Sequence, residues 1–397
     1  MRWSWFMPYH FFIKRKQREE RKEREERAFY ENGSLLLEKL IVCCNAKPIP
    51  IPTFSPQQLL LATNNFSFSE QLLIGNPIWY KGSLEGRIVL IKRLDGWANL
   101  AINDLVISAQ MSGHSNVLKP IGCCLHTPSP IFVFEFAANG VLADRIYVSR
   151  VTERQHQPMG WERRLKIARQ IAHALSYLHT AFPRPVIHMN IQMRSILLDE
   201  HDVPKLSSFY ISVSIPEGEV DVDAPLRSTF MAPELNATGK VTEKADVYDF
   251  GRFLFELLTG DDSLNITRFT IDKDSSLVEY IHNRAQGSCI NEIVDPAILA
   301  EDGEAGVSLL RQLQAVVDLA LTCTEEDPQT RPTMVDVTKQ LRRIERFTQT
   351  GEELGGNLQN LKLLESVEEH ASASLKRNAS SDEIQAVNEA SERPLEV

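Results

Sequence analysis

Apolar residues follow the period of strands early in the chain and the period of helices later. The apolar runs at residues 87–92 and 131–136 each have the length of a buried strand. Further along, one apolar stripe repeats every three or four residues, through Ile167, Ile171, Leu175 and Leu178. The mostly apolar run at residues 253–258 predicts another buried helix. The pattern therefore indicates strands in the first part of the chain and helices in the second.

The first 52 residues are predicted to contain two helices and a proline-rich linker. From Lys14 to Arg27 nearly every residue is charged, with Glu and Arg four residues apart, which predicts a solvated helix. Gly33 is expected to end this helix, and the apolar spacing of residues 34–41 predicts a second, amphipathic helix. The prolines of residues 48–52 then break helical structure and mark the edge of a domain.

The two ends of the chain carry different signals. Residues 3–13 form an aromatic run that is too short to span a bilayer and is followed by basic residues, the reverse of a signal peptide. Peripheral contact with the plasma membrane through this run and a disordered terminus are both open interpretations. Residues 350–397 are acidic and poor in large apolar side chains, so this tail is predicted to be disordered.

Net charge and cysteine usage narrow the classes of partner and the compartment. The 397 residues have a formal net charge of -10, although the extension at residues 1–27 carries nine Lys and Arg against five Glu. An acidic chain argues against nucleic acid as a partner, because phosphate binding needs a basic face. The six cysteines show no C-x-x-C spacing and no secretory signal precedes them, so reduced thiols and a cytoplasmic location are expected.

Residues 186–199 read V-I-H-M-N-I-Q-M-R-S-I-L-L-D. They resemble the catalytic loop of a protein kinase, which has the pattern H-R-D-x-K-x-x-x-N before an apolar strand. His188 is in place. Asn190 stands for the catalytic Asp, Gln192 for the Lys and Ser195 for the metal-binding Asn. The Asp of the family accepts the proton of the substrate hydroxyl, which a neutral amide does not do. The resemblance therefore implies that this loop has no catalytic residue.

Twenty residues after His188 lies the position of the family's metal-binding Asp-Phe-Gly motif. Phe209 keeps the register of that motif, and Ser208 replaces its carboxylate. Mg²⁺ prefers anionic oxygen ligands. Because both Ser195 and Ser208 are neutral, we expect no metal site and no binding of Mg²⁺.

Part of the nucleotide pocket of the family is kept. Gly75 is the glycine that survives from the G-x-G-x-x-G loop, which here precedes W-Y-K-G in place of V-Y-K-G. Lys92 occupies the position of the phosphate-pairing lysine, and Asp104 stands where its Glu partner is expected. Since Asp is one methylene shorter than Glu, this ion pair is expected to be stretched. Phe134, at the gatekeeper position, narrows the back of the pocket. No cofactor is required on this interpretation, and residual ATP binding stays open.

Residues that support the frame of a kinase are present in both halves. Besides Phe209, Glu234 in A-P-E matches the Glu that pairs with a distant Arg, here Arg331. Asp246 matches the buried Asp that receives backbone amides of the catalytic loop. The residues that stabilise the kinase fold are therefore kept, although those that a kinase needs for catalysis and metal binding are replaced.

Over residues 53–345 these motifs resemble the plant receptor-like cytoplasmic kinases. The resemblance implies an α+β, two-lobed protein-kinase-like fold, with a small β-rich lobe at residues 53–136 and a larger helical lobe at residues 137–349. The helical lead-in and Pro-rich linker at residues 28–52 are similar to those of the ZED-related group.

That group contains inactive kinases that act as adaptors for a coiled-coil nucleotide-binding leucine-rich-repeat immune receptor. The resemblance implies a pseudokinase in plant recognition of bacterial effectors, a response that ends in hypersensitive cell death. The implied partners are that receptor, active receptor-like cytoplasmic kinases and a bacterial type III effector. We expect the contacts on the front helix region and on the activation-type segment at residues 211–229.

That segment carries hydroxyls that an effector acyltransferase or a kinase could modify, namely Ser212, Ser214, Ser228 and Thr229. Ordinary surface residues are the alternative interpretation for each of them. Two other functions also stay open: a weakly active serine/threonine kinase with an unusual metal site, and a nucleotide-sensing switch without catalysis.

Overall fold

The computed structural model describes residues 6–44, 48–73, 77–147, 159–225, 232–262, 277–285, 290–300 and 306–348. The chain divides into two compact units, residues 1–345 and 346–397. Of the second unit, the described part is a short 3-10 helix, Arg346–Thr348. The tail predicted to be disordered lies outside the described residues, and so do Gly75, Ser228 and Thr229.

The small lobe is built on a five-stranded antiparallel sheet. Its strands are β1 (Gln71–Leu73), β2 (Ile78–Leu84), β3 (Arg87–Arg93), β4 (Pro120–Cys124) and β5 (Ile131–Phe134), in the order β1-β2-β3-β5-β4. β2 and β3 form a hairpin whose two turn residues, Glu85 and Gly86, have φ values of 50° and 76°. Positive φ at both positions matches the twist of the flanking strands. β3 and β5 confirm the two predicted strands.

Helices cover both faces of this sheet, because successive side chains of a strand point to opposite sides. On one face, Val89 and Ile91 pack with Leu59 of helix α2 (Pro56–Ala62). On the other face, Leu90 packs with helix α3 (Ala98–Gln110). The lobe therefore has two apolar layers, and α3 closes the layer that borders the cleft.

In front of the lobe, helix α1 (Phe6–Cys44) runs without a break for 39 residues. The prediction that Gly33 ends one helix and starts another is therefore wrong. Next to the glycine, Asn32 Nδ2 donates to the carbonyls of Leu125 and Thr127 at 2.9 and 2.8 Å. Contacts of this kind offset the roughly 1 kcal/mol that glycine costs inside a helix.

The charged part of α1 stands in solvent. Its side chains from residue 13 to residue 24 are exposed, and ion pairs four residues apart, such as Arg15–Glu19 and Arg21–Glu25, run along it. This is the solvated helix that the charge pattern predicted. Within the described ranges, no helix combines the length and the apolar character needed to cross a bilayer.

The large lobe is mainly helical. Its helices are α4 (Leu142–Ile146), α5 (Trp161–Thr180), α6 (Pro233–Thr238), α7 (Lys244–Thr259), α8 (Leu277–Ala285), α9 (Pro296–Ala300), α10 (Val307–Cys323) and α11 (Met334–Glu345). Its strands pair in twos, β6 (Val186–Ile187) with β9 (Val213–Ser214), β7 (Ile196–Leu198) with β8 (Pro204–Leu206), and β10 (Val222–Asp223) with β11 (Lys240–Val241). The predicted apolar stripe lies buried on α5, and the run at 253–258 lies buried in α7. The two-lobed α+β fold is confirmed.

A buried arginine joins distant parts of the large lobe. Arg331, which is 1% exposed, donates to both carboxylate oxygens of Glu234 at 2.8 and 2.9 Å. It also donates to the carbonyls of Lys244, Glu325 and Glu326. One side chain thus satisfies acceptors from the start of α6, the start of α7 and the turn after α10.

Arg331→Ala should lower the free energy of unfolding by about 3–5 kcal/mol, because it leaves the largely buried Glu234 carboxylate without its partner. The matched control is Lys339→Ala, which removes an exposed ion pair with Asp336 and should change stability by less than about 0.5 kcal/mol. Urea unfolding followed by circular dichroism measures both. Equal losses in the two variants would contradict the stabilising role of the buried pair.

Candidate functional site

A single buried carboxylate holds the loop that resembles the kinase catalytic loop. Asp246 of α7 is fully buried and accepts the backbone N–H groups of His188 and Met189, each at 2.8 Å. Its side chain also pairs with Nε2 of His179 at 2.7 Å. Met189 has a φ of 62°, a left-handed conformation that is kept because both amides are bound to the same carboxylate.

His188 is fully buried beside this carboxylate and is electrically neutral. Its Nδ1 accepts the N–H of Asn190 at 3.2 Å, so the ring proton lies on Nε2, which donates to the carbonyl of Ser207 at 3.1 Å. The ring also meets Phe209 edge to face, with centroids 4.8 Å apart. Burial lowers the pKa of His188 to about 4. His188 therefore acts as an uncharged spacer between the loop and Phe209.

Asn190, at the position of the catalytic base, has its oxygen engaged. Its Oδ1 accepts a hydrogen bond from Nε2 of Gln192 at 2.7 Å. Ser195 turns away from the cleft, since its hydroxyl donates to the carbonyl of Gln192 at 2.8 Å and its side chain is buried. The three substituted positions of the loop thus bond to one another, and none of them offers a carboxylate for a proton or a metal ion.

Ser208 occupies the second metal position and is also neutral. Its hydroxyl lies 3.4 Å from Nζ of Lys92, which donates to it, and 3.3 Å from the hydroxyl of Ser207. A divalent cation needs anionic oxygens at such a position, and the neighbouring cation would repel it. Ser195 and Ser208 together do not fit Mg²⁺.

Lys92 of β3 and Asp104 of α3 form a short ion pair. Nζ of Lys92 lies 2.6 Å from Oδ2 of Asp104, and both side chains are 2% exposed. The expectation of a stretched pair is wrong, because α3 lies close enough to β3 for the shorter side chain to reach. Oδ1 of Asp104 accepts the N–H of Phe209 at 2.6 Å. Burial lowers the pKa of the Lys92 ammonium, and the Asp104 carboxylate opposes that shift.

The neighbour of Asp104 binds the start of the activation-type segment, which sequence reasoning missed. Nδ2 of Asn103 donates to the carbonyls of Phe209, Tyr210 and Ser212 at 3.1, 3.1 and 2.8 Å. Together with the bond from the N–H of Phe209 to Asp104, four hydrogen bonds therefore join two adjacent residues of α3 to residues 209–212. An amide two turns into a helix gave no sequence signal for this role, since the segment that it binds lies more than a hundred residues away.

Three aromatic rings surround the ammonium of Lys92. Its Nζ lies 4.9 Å from the ring centroid of Trp79, 5.7 Å from that of Tyr210 and 5.9 Å from that of Phe134. Trp79 and Phe134 are each 1% exposed. Aromatic faces attract a cation within about 6 Å of the ring centroid. Phe134 was predicted to line the pocket, but the roles of the other two rings were missed.

The sequence motifs contained a signal that could have predicted the roles of Trp79 and Tyr210. Trp79 stands where the family pattern V-Y-K-G has Val, and Tyr210 stands where Asp-Phe-Gly has Gly. The hydroxyl of Tyr210 hydrogen-bonds the side chain of Asn190, and burial raises the pKa of that hydroxyl. Each substitution replaces a small residue of the cleft by a large ring.

The hydroxyls proposed for modification differ in access. Ser212 is 2% exposed, and its hydroxyl donates to the carbonyl of His188 at 2.9 Å. Ser212 is therefore a structural residue in this conformation, which corrects the expectation of an accessible hydroxyl. Ser214 is half-buried in β9. Beyond it, residues 216–220 are exposed and include Glu217, Glu219 and Val220, which is 81% exposed. The next acidic residue, Asp221, is half-buried and pairs with Lys240 at 2.8 Å.

Comparison with known proteins places these features in context. The protein tyrosine and serine/threonine kinase family matches residues 78–341. In Arabidopsis thaliana, the serine/threonine-protein kinase ZRK1 is 38% identical over 80% of this chain and 92% of its own length. The non-functional pseudokinase ZRK2 is 38% identical over 84% of this chain and 94% of its own length. For the non-functional pseudokinase ZED1, these values are 39%, 80% and 96%.

His188→Gln should weaken the pH dependence of stability in acid. The pKa of His188 is about 4 in the folded protein, whereas an unfolded histidine titrates near 6.5. Between these values the unfolded chain takes up a proton that the folded protein does not. The free energy of unfolding should therefore fall by about 3 kcal/mol through this group as the pH drops from 6.5 to 4.

Urea unfolding across that pH range, with the variant compared with the wild type, measures this contribution. His201→Gln is the matched control, since His201 is exposed and should leave the pH profile unchanged. Parallel profiles for the wild type and His188→Gln would show that His188 becomes charged in the folded state and would contradict the neutral spacer.

Proposed function

The chain belongs to the protein tyrosine and serine/threonine kinase family, in the group of the ZRK and ZED1 proteins, and we propose that it acts there as a catalytically inactive adaptor. Its partner is a coiled-coil nucleotide-binding leucine-rich-repeat immune receptor of the plant cell. The adaptor senses a bacterial type III effector, either directly or through an active receptor-like cytoplasmic kinase that the effector has modified. The response is effector-triggered immunity with hypersensitive cell death.

One observation carries the inactive part of this proposal: the base and both metal positions hold neutral side chains that are bonded within the protein. Asn190 has its oxygen engaged by Gln192, Ser195 bonds the backbone, and Ser208 receives a bond from Lys92. General-base assistance alone is worth about 10²–10⁴ in rate. An adaptor needs neither the base nor Mg²⁺, and we propose that this protein requires no nucleotide.

We propose that the receptor binds the outer face of α1. Tyr30, Leu37 and Ile41 follow one another in steps of seven and four residues, which return to the same side of a helix. They are 66%, 56% and 55% exposed, whereas Ala28 and Leu40 on the side of α1 that faces the small lobe are buried. We call these three residues the front-helix stripe.

The charges beside the front-helix stripe favour one kind of partner. Glu31 and Glu38 directly follow Tyr30 and Leu37, and both are exposed. Two copies that paired through their stripes would bring these carboxylates together, which disfavours self-association. The complementary surface is an apolar strip with Lys or Arg at its border. We propose that the receptor supplies such a surface.

We propose that the activation-type segment is the second contact and that it binds the modified kinase or the effector. Its exposed part holds Glu217 and Glu219 beside the apolar Val220, whereas Asp221 is half-buried and pairs with Lys240. An acidic turn with one exposed apolar side chain suits a basic partner surface. Ser214, and the hydroxyls of residues 228 and 229, remain the proposed sites of modification in this segment.

We also propose a cytoplasmic location with peripheral contact at the plasma membrane. The described cysteines, Cys43, Cys44, Cys123, Cys124 and Cys323, are free thiols, as is usual in a reducing compartment. The solvated part of α1 carries the aromatic run at its amino end, followed by Lys14, Arg15 and Lys16. Aromatic and basic residues in sequence suit a membrane interface with anionic lipids.

A weakly active serine/threonine kinase in defence signalling is the alternative function. The intact ion pair between Lys92 and Asp104 favours it, because active kinases need this pair. ZRK1, which is as similar to this chain as the two pseudokinases are, is named a serine/threonine-protein kinase. The neutral metal positions weigh against this alternative, and a direct assay separates the two.

Purified protein should transfer no phosphate from radiolabelled ATP to itself or to a general protein substrate, with Mg²⁺ or with Mn²⁺. The physical reason is the absence of a base and of anionic metal ligands at the substituted positions. Lys92→Ala is the background control. Labelling by the wild type that disappears in Lys92→Ala would overturn the inactive adaptor and support the weak kinase.

Leu37→Glu and Ile41→Glu should abolish both co-precipitation with the receptor and cell death in leaf tissue that expresses receptor and effector. Each change puts a carboxylate into the apolar centre of the contact, which costs several kcal/mol when it is buried unpaired. Leu61→Glu on α2, where Leu61 is 82% exposed, is the matched control and should keep both. Asn190→Ala should also keep the response. Retained binding by both stripe variants would rule out this face of α1.

A further inference from the structure

The cleft between the lobes contains two large side chains of the protein itself. Trp79 lies on β2, the strand that follows the position of the glycine-rich loop, and its ring centroid is 5.5 Å from that of Phe134. Tyr210 lies in the 3-10 helix Phe209–Ile211, beside Asn190. One ring therefore enters the cleft from the small lobe and the other from the large lobe.

Both rings reach the residue that a nucleotide would need. In the family, the lysine at the position of Lys92 pairs with phosphate oxygens. Here its ammonium is bonded to Asp104 and Ser208 and faced by the rings of Trp79 and Tyr210, and it is 1% exposed. The positive charge that would attract a phosphate is already matched by a carboxylate, a hydroxyl and aromatic faces.

Tyr210 also connects the apolar cores on the two sides of the cleft. It packs against the cluster of the small lobe, which includes Leu90 and Leu105, and against a cluster of the large lobe, which includes Ile187 and Ala245. In an active kinase, the bound nucleotide and its metal ions join parts from both lobes. The position of Tyr210 between two cores lets a side chain make that connection.

Two side chains of α3 hold the backbone on which this ring stands. Asn103 donates to the carbonyls of Phe209, Tyr210 and Ser212, and Asp104 accepts the N–H of Phe209. Four hydrogen bonds therefore fix the residues on both sides of Tyr210. These bonds fix the position of the backbone from which the Tyr210 side chain extends into the cleft.

We propose that Trp79 and Tyr210 form an intramolecular plug that fills the nucleotide cleft and joins the two lobes without a ligand. A nucleotide would have to displace both rings, which would bring apolar surface of the buried Trp79 and the half-buried Tyr210 into contact with water. The protein therefore keeps one cleft geometry whether or not ATP is present. This inference goes beyond the adaptor role and holds even if the receptor contact is wrong.

Access to Lys92 tests the plug directly. In the folded wild-type protein, an amine-reactive reagent should label Lys92 at least about tenfold more slowly than the exposed Lys166, because labelling requires local opening of the cleft. Tyr210→Gly should raise the labelling rate of Lys92 by about tenfold, and Tyr210→Phe, which keeps the ring, should leave it slow. Mass spectrometry of the digested protein gives the rate at each lysine.

Lys205, whose side chain is 14% exposed in the large lobe, reports in the same digest on general unfolding. If Tyr210→Gly also accelerates Lys205, Trp79→Val replaces it as the test variant and carries the same prediction for Lys92. Slow labelling of Lys92 in every correctly folded variant that lacks a ring would overturn the plug.

The addition of ATP is the second test of the plug. At millimolar concentration, ATP should change neither the melting temperature of the wild-type protein nor the labelling of Lys92, with or without Mg²⁺. Protection of Lys92 or a dose-dependent rise in the melting temperature would show that nucleotide enters the cleft, and this would also overturn the plug. Neither result bears on receptor binding, so failure of the plug and failure of the adaptor role can be told apart.

Discussion

The buried ammonium of Lys92 is the constraint on which the cleft depends. A charge removed from water must be paired and hydrogen-bonded, since an unpaired one costs several kcal/mol. Asp104 supplies the pair at 2.6 Å, and to do so α3 must lie close to β3. Because the second oxygen of Asp104 binds the N–H of Phe209 at 2.6 Å, the same requirement fixes the start of the activation-type segment. The position of one helix and of one loop thus follows from one buried charge.

The large lobe is held by the same kind of contact. Asp246 gathers two amides of the loop and one histidine, and Arg331 gathers a carboxylate and three carbonyls. These bonds fix the shape of the site and take no part in proton transfer or in metal binding. The loop can therefore keep its geometry while Asn190 and Ser195 have neutral side chains, because its shape and its chemistry rest on different residues.

This separation is compatible with the proposed adaptor role, in which a kinase fold works by binding partners. An adaptor needs surfaces in a constant arrangement, and on our proposal the ion pairs and rings of the cleft provide it without a bound nucleotide. The front-helix stripe lies on a helix that packs against α3, and α3 also holds the activation-type segment. The two proposed contact regions therefore share one rigid support.

Several features were determined by the sequence alone. The strands β3 and β5 and the buried stripe on α5 follow from local apolar periodicity, which needs no knowledge of partners. The neutral side chains of Asn190, Ser195 and Ser208, at the positions where the family motifs have a base and metal ligands, are likewise a matter of side-chain identity. The family motifs give the register, so the missing carboxylates can be read from the chain.

Other features were decided only in the tertiary structure, because they depend on distances between residues far apart in the chain. Asn32 keeps α1 continuous through Gly33 by bonding a turn more than ninety residues away. The short reach of Asp104 and the burial of the Ser212 hydroxyl depend on where α3 and the catalytic-type loop pack. Periodicity and motifs describe residues that are neighbours along the chain. Trp79 and Tyr210 are far apart in the chain, and they fill the cleft only because the fold brings both of them to it.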